Sequence, residues 1–213
     1  LRAMPAEAFC TAALPYLQKA IQTPHIALSL VAPLVQPRCD TFEDIGEQVD
    51  FFDTLPTYSN ELYCHKKMKT DEENSLEALK LTLPRLEAVT NWSYDTLHDT
   101  LMGLAAELEL KNGRILWPVR TALSGKAVTP GGAVELCHIL GKAETLRMTR
   151  KYGEYFSALN DYVSNESDMA KSKTDYLSAV IQRSDPKFLR AFMPQMDVMC
   201  SLASYSNNGT LAI

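Results

Sequence analysis

NGRILWPVRTALSGKAVTPGGAVELCHILGKAETLRMTRK, residues 112–151, decides how the rest of the chain is read. Its apolar positions recur at helical spacing and never alternate as a strand would. Gly113, Pro118, Gly125, Pro130, Gly131, Gly132 and Gly141 punctuate it into short pieces. RILWPVRTALSG reads as a helical turn or short helix broken around Pro118. GGAVELCHILGKAETLRMTRK reads as two short helices hinged at Gly141. The stretch is also basic in an acidic protein. Residues 111–151 hold 8 Lys/Arg against 2 Asp/Glu, whereas residues 1–110 hold 8 against 17 and the whole chain has a formal net charge of −5. A local excess of positive charge attracts a polyanion at short range, within the roughly 10 Å over which 0.1 M salt leaves charges unscreened.

Working outward, the same helical period continues upstream. PAEAFCTAALPYLQKAI repeats Phe9, Ala13, Leu17 and Ala20, with Pro5 as a first-turn proline. TPHIALSLVAPLV is a second helix that Pro33 kinks or breaks. TFEDIGEQVDFFD is a third, with Thr41 as N-cap, Asp44 three residues on, and Ile45, Val49 and Phe52 as its buried stripe. LPTYSNELYCHKKMKT is a less regular connector. DEENSLEALKLTLPRLEAV places Leu76, Leu79, Leu83 and Leu86 on one face behind an acidic first turn. SYDTLHDTLMGLAAELEL is a further helix ended by Asn112-Gly113. The fold class is therefore all-α: two consecutive small helical bundles, over residues 1–55 and 56–151, followed by a helical extension over 152–213. Within that extension, residues 167–184 and 185–206 read as two more helices, and the last residues fray.

The totals narrow the function. The 213 residues suffice for one large domain or two small ones. No apolar run approaches the roughly 18 residues of a membrane span. The start lacks a signal-peptide pattern and an initiator Met, which fits a piece of a longer chain. Five cysteines without a CxxC pair fit reduced thiols in a cytoplasmic protein. Cys64-His65 and Cys137-His138 are adjacent pairs that point about 100° apart on a helix and chelate poorly, so no metal site is expected. No P-loop, GxGxxG, HExxH or GxSxG motif occurs, and no catalytic residue is assigned.

The basic stretch reads instead as binding apparatus. Arginine offers a rigid fork of donors for a phosphate or a base edge. Single-stranded RNA is read by splaying bases out, stacking them on planar side chains and satisfying their pairing edges. Arg114, Trp117, Arg120 and Lys126 have that chemistry. Trp117 also reads as a core residue that anchors a turn, and Arg120 as a helix cap.

Gly113, Pro118, Arg120, Ala122, Leu123, Ser124, Gly125, Pro130, Leu140, Gly141 and Lys142 resemble the C-terminal end of bacterial glutamyl-tRNA synthetases: a glycine, Pro-x-Arg-x-Ala-Leu-(Ser/Thr)-Gly, a Pro-Gly turn, then (Ile/Leu)-Leu-Gly-Lys and an Arg-rich helix. LRAMPAEAF resembles the segment after that family's catalytic core, and LVQPRCDTFEDI a helix junction built on Pro-Arg. The resemblance covers residues 1–151; the tail from Tyr152 resembles nothing in the family. It implies two helical anticodon-binding domains without aminoacylation chemistry. The HIGH-like and KMSKS-like motifs of the family's catalytic domain do not occur here. The implied partners are tRNA(Glu) and the catalytic domain of the same enzyme, with no membrane and no DNA. The chain itself needs no cofactor; ATP and Mg belong to the full-length enzyme.

By the same resemblance, Arg38 falls on the position that in some members reads the third anticodon base. Cytosine there offers O2 and N3 as adjacent acceptors, whereas guanine presents N1–H and N2–H to a guanidinium. Arg120 falls near the first two bases, and Thr129, Pro130 and Gly131 on the loop packed against them. The chain has one more residue between that turn and Glu135 than some members. The alternative is a helical protein-interaction module that has lost RNA binding.

Overall fold

The computed structural model describes residues 1–56 and 58–164, with side chains through Arg150. Seven α-helices are found among the described residues. These are α1 (Ala6–Ala20), α2 (Leu28–Val35), α3 (Ile45–Val49), α4 (Glu72–Ala88), α5 (Tyr94–Glu107), α6 (Asn112–Ser124) and α7 (Ala133–Ser164). The β-pairing among these residues is a single isolated bridge, His65 to Thr70. The helices expected over 167–184 and 185–206 lie outside the described residues.

α1 packs against α2 and α3, and α4, α5, α6 and α7 pack against one another. Phe9, Ala13 and Leu17 recur on one face of α1 and are fully buried, as are Val31, Val35, Ile45 and Val49. Leu79, Leu86, Leu97, Leu101, Ile115 and Leu123 fill the second group of helices. Asp53 ties the end of α1 to the segment after α3: its carboxylate accepts the backbone N–H of Gln22 at 2.7 Å and of Thr23 at 2.8 Å.

Prolines interrupt this fold less than their sequence positions suggest. Pro15, Pro33, Pro84 and Pro118 all lie inside helices that continue past them. The first three are exposed, so the carbonyl each leaves without a helical partner can turn to water. α2 therefore passes Pro33 unbroken to Val35, and α6 runs whole through Pro118 instead of breaking there. Pro118 is the buried one.

Two ends differ from the sequence reading. Thr41 does not cap a helix at residue 42; α3 starts at Ile45 and is five residues long. The Asp44 carboxylate instead accepts the N–H groups of Thr41 at 2.8 Å and Asp40 at 2.9 Å, closing the preceding turn. α5 does not end at Asn112-Gly113. It stops at Glu107, with Glu109 in the left-handed region at φ 53° and Leu110 N–H bonded to the Ala105 carbonyl at 2.8 Å. A glutamate takes the place that favours glycine, and Asn112 and Gly113 open α6. Gly113 is small for another reason: a Cβ there would lie 2.4 Å from the Met68 sulfur. The hinge expected at Gly141 is present, at φ 77° and ψ 167° within α7. Beside it, Lys142 donates to the carbonyls of Glu87 at 2.8 Å and Val89 at 2.6 Å, closing the end of α4.

Candidate nucleic-acid interface

Arg38 ends a 3-10 turn over Gln36–Arg38. The turn is held on every side. The Gln36 amide donates to the carbonyl of Met4 at 2.7 Å, and the Gln48 amide to the carbonyl of Arg38 at 3.3 Å and to the Cys39 sulfur at 3.2 Å. Asp44 secures the next two N–H groups. Those hydrogen bonds, the backbone N–H of Thr41 first, draw the Asp44 carboxyl below its ordinary value. Cys39 is fully buried, and burial pushes its thiol up. The Arg38 side chain is exposed and has no protein hydrogen-bond or ion-pair partner among the described residues. A fixed backbone thus carries a free guanidinium fork.

Arg120 is its opposite. It sits on α6 at 8% exposure. One terminal nitrogen donates to Thr129 Oγ1 at 3.0 Å and the other to the Ala127 carbonyl at 3.1 Å. Its guanidinium carbon stands 4.2 Å from the centre of the Trp117 ring. Burial, then the like charge of Arg38, pull it below its ordinary value, although an arginine stays protonated.

The loop between α6 and α7 is pinned from both ends. Gly125 caps α6 at φ 60°, and a Cβ there would meet the Tyr58 ring at 2.5 Å and Pro56 at 3.2 Å. Lys126 pairs with Asp50 and donates to the Glu47 carbonyl at 2.5 Å. Thr129 is 4% exposed, and its hydroxyl donates to the Gly131 carbonyl at 2.5 Å. Pro130 is buried. A Cβ on Gly131 would come 3.1 Å from Leu34 of α2. Gly132 N–H is capped by Glu135 at 2.9 Å. Between these anchors, Val128 is 69% exposed at the tip.

Trp117 and Arg114 tie α6 to the connector before α4. The Trp117 indole donates to the Leu62 carbonyl at 2.8 Å, and its ring centre is 4.0 Å from that of His65. Arg114 donates to the Lys69 carbonyl at 2.7 Å. Of the four cationic candidates, the structure leaves only Arg38 without a protein partner among the described residues. Arg120, Trp117 and the loop 125–131 are brought together, and the charge of Arg38 acts on Arg120; Arg114 anchors a different turn. Sequence reasoning passed over Val128, because an isolated valine carries no signal. It also passed over Lys66, Lys67 and Lys69, whose run was hidden in the negative total of residues 1–110.

Comparison with known proteins gives the family. Residues 8–151 match the anticodon binding domain family. The chain is 51% identical over 150 residues to a glutamate–tRNA ligase of Clostridium tetani, covering 70% of this chain and 30% of that protein. It is 50% identical over 150 residues to one of Lachnoclostridium phytofermentans, again 70% and 30%. A solved glutamate tRNA ligase of Elizabethkingia meningosepticum, in complex with its amino acid, shares the fold at a TM-score of 0.57 and 18% identity, over 72% of this chain and 30% of that one. The chain thus spans about a third of the relatives it matches. No helix among the described residues is long and apolar enough to cross a membrane. With residues 8–151 matched by its family model, the chain belongs to the anticodon binding domain family.

Proposed function

We propose that residues 1–151 grip the anticodon loop of tRNA(Glu), as two helical domains over 1–55 and 56–151, while the catalytic domain of a glutamate–tRNA ligase works on the acceptor end with ATP and Mg in the cytoplasm. The observation that carries this reading is the Arg38 guanidinium: exposed, unpartnered, on a turn fixed by Gln36, Gln48 and Asp44. The fixed turn removes backbone freedom in advance, and the planar fork spreads the side-chain ordering cost over two hydrogen bonds to the paired acceptors of a cytosine. Arg120, Trp117, Arg114 and Lys126 act mainly by position. They hold the 125–131 loop and the 65–70 turn, so that Thr129, Pro130 and Gly131 offer the bases a rigid wall with Val128 at its tip.

The test compares two RNA anticodon stem-loops, with cytosine or guanine at the third anticodon base. The chain is expected to prefer cytosine by about 1–3 kcal/mol, by analogy with a bidentate contact in DNA. Arg38→Ala should remove most of that preference while overall binding falls less. Equal losses for both loops would withdraw the reading role from Arg38, and binding indifferent to salt and anticodon would withdraw RNA recognition altogether.

A further inference from the structure

The second basic feature of the surface is the turn from His65 to Thr70. The two residues bond reciprocally, His65 N–H to the Thr70 carbonyl at 2.9 Å and Thr70 N–H to the His65 carbonyl at 3.2 Å. Lys66, Lys67 and Lys69 are all exposed on it. Lys69 holds a left-handed backbone, φ 58°, which a side chain adopts at a cost. The turn is kept in that shape from outside. Arg114 and Asn74 both donate to the Lys69 carbonyl, at 2.7 and 3.5 Å. Met68 N–H donates to the His65 ring nitrogen at 3.2 Å, and the Met68 side chain fills the space that Gly113 leaves open.

Carboxylates stand close to Cys64, at the start of the turn. Burial raises the Cys64 thiol, and the charges of Glu72, Asp71 and Glu61 add to that rise. Asp71 is committed to the N-cap of α4, accepting Asn74 N–H at 2.8 Å. The ammonium groups of Lys66, Lys67 and Lys69 have no hydrogen-bond or ion-pair partner among the described residues.

The turn is also continuous with the base-reading face. His65 packs against Trp117 at 4.0 Å, and Trp117 against Arg120 at 4.2 Å. Arg38 acts electrostatically on Arg120. A row of packed side chains therefore leads from the lysine turn to Arg120.

We infer that Lys66, Lys67 and Lys69 form a phosphate-binding turn that clamps the RNA backbone beside the anticodon. The inference rests on the anticodon-binding reading above. Lysine acts as a point charge on phosphate oxygens, fixing register while carrying no sequence information. The turn thus supplies affinity and salt dependence, and Arg38 supplies discrimination.

The experiment measures binding of the two RNA anticodon stem-loops, with cytosine or guanine at the third base, across a series of salt concentrations. The variant is Lys66→Ala/Lys67→Ala/Lys69→Asn, asparagine being chosen because it tolerates the left-handed backbone. Lys66→Ala/Lys67→Ala serves as a second variant that leaves residue 69 untouched. Removing one lysine–phosphate pairing lowers the log–log salt slope by about 0.7–0.9. The triple variant is expected to lose about 2 units of slope, and the double variant about 1.5. Affinity should fall by the same factor for both loops, with unchanged helical circular dichroism. Lys66→Arg/Lys67→Arg should keep the slope. An unchanged slope in both lysine-loss variants overturns the inference and leaves the anticodon-binding reading standing. Altered preference between the two loops also overturns it, because the turn would then touch bases. A wild-type chain that binds neither loop overturns both readings.

Discussion

Arg38 and Arg120 bear the same charged group within reach of each other's field, in opposite surroundings. Arg38 is exposed on a turn whose last carbonyl accepts from Gln48, and its guanidinium has no hydrogen-bond or ion-pair partner among the described residues. Arg120 is 8% exposed, with donors spent on Thr129 and Ala127 and its face on Trp117. The difference shows that a cluster of arginines can divide its labour. The buried guanidinium organises the 125–131 loop, and its charge adds to the field at the exposed one. Placing two like charges together costs stability, and that cost is recovered when an anion or an acceptor-rich base arrives.

Substitutions that test this contrast differ in size. The largest effect is expected from Arg120→Leu, which strips Thr129 and the Ala127 carbonyl of their charged donor. Urea unfolding should show a loss of about 2–4 kcal/mol, and Arg120→Lys should recover little because an ammonium cannot span both acceptors. If Arg120→Leu unfolds like wild type, the loop is held by something else. Lys126→Met comes next, breaking the link from the loop to Asp50 and the Glu47 carbonyl. The pair is partly exposed and salt-screened, so the loss should be at most about 1 kcal/mol and should shrink at high salt. Arg38→Leu should leave stability within about 0.5 kcal/mol, since its guanidinium holds no other group among the described residues. A larger change would place Arg38 in the folding framework beside Arg120 and erase the contrast.

The smallest effect concerns pH. The Asp44 carboxyl is lowered in the folded protein by the N–H groups it accepts. Its contribution to the Arg38 turn is therefore complete above the ordinary aspartate value of 3.8 and is lost as pH falls through the lower folded value. Amide exchange at Asp40 and Thr41, corrected for intrinsic rates, should accelerate only in that acid window. Protection that fades already near neutral pH would assign the turn to another group.

Particular residues show why some of this was legible beforehand. The helical periods of α1 and α4 follow from apolar spacing, and the Gly141 break follows from a residue that takes positive φ without penalty. Helix ends were less legible. Glu109 occupies a place that favours glycine, and Pro118 sits in an unbroken helix, because packing around them outweighs local preference. Within the site, the identities of the candidates were visible but their exposure was not. Nothing in the one-dimensional pattern distinguishes an arginine held by Thr129 from one held by nothing.

The sequence by itself determined the helical class, the basic character of residues 111–151 and, through Pro-x-Arg and the Pro-Gly turn, the likeness to anticodon-binding domains. These depend on spacing and composition, which are local. The tertiary structure alone decided which arginine is free, which loop is pinned and where the lysine turn lies. Those outcomes rest on pairings between residues far apart in the chain, such as Lys126 with Glu47 and Arg114 with Lys69. Such pairings satisfy some donors and leave others unspent, and a donor's availability is a property of the folded surface.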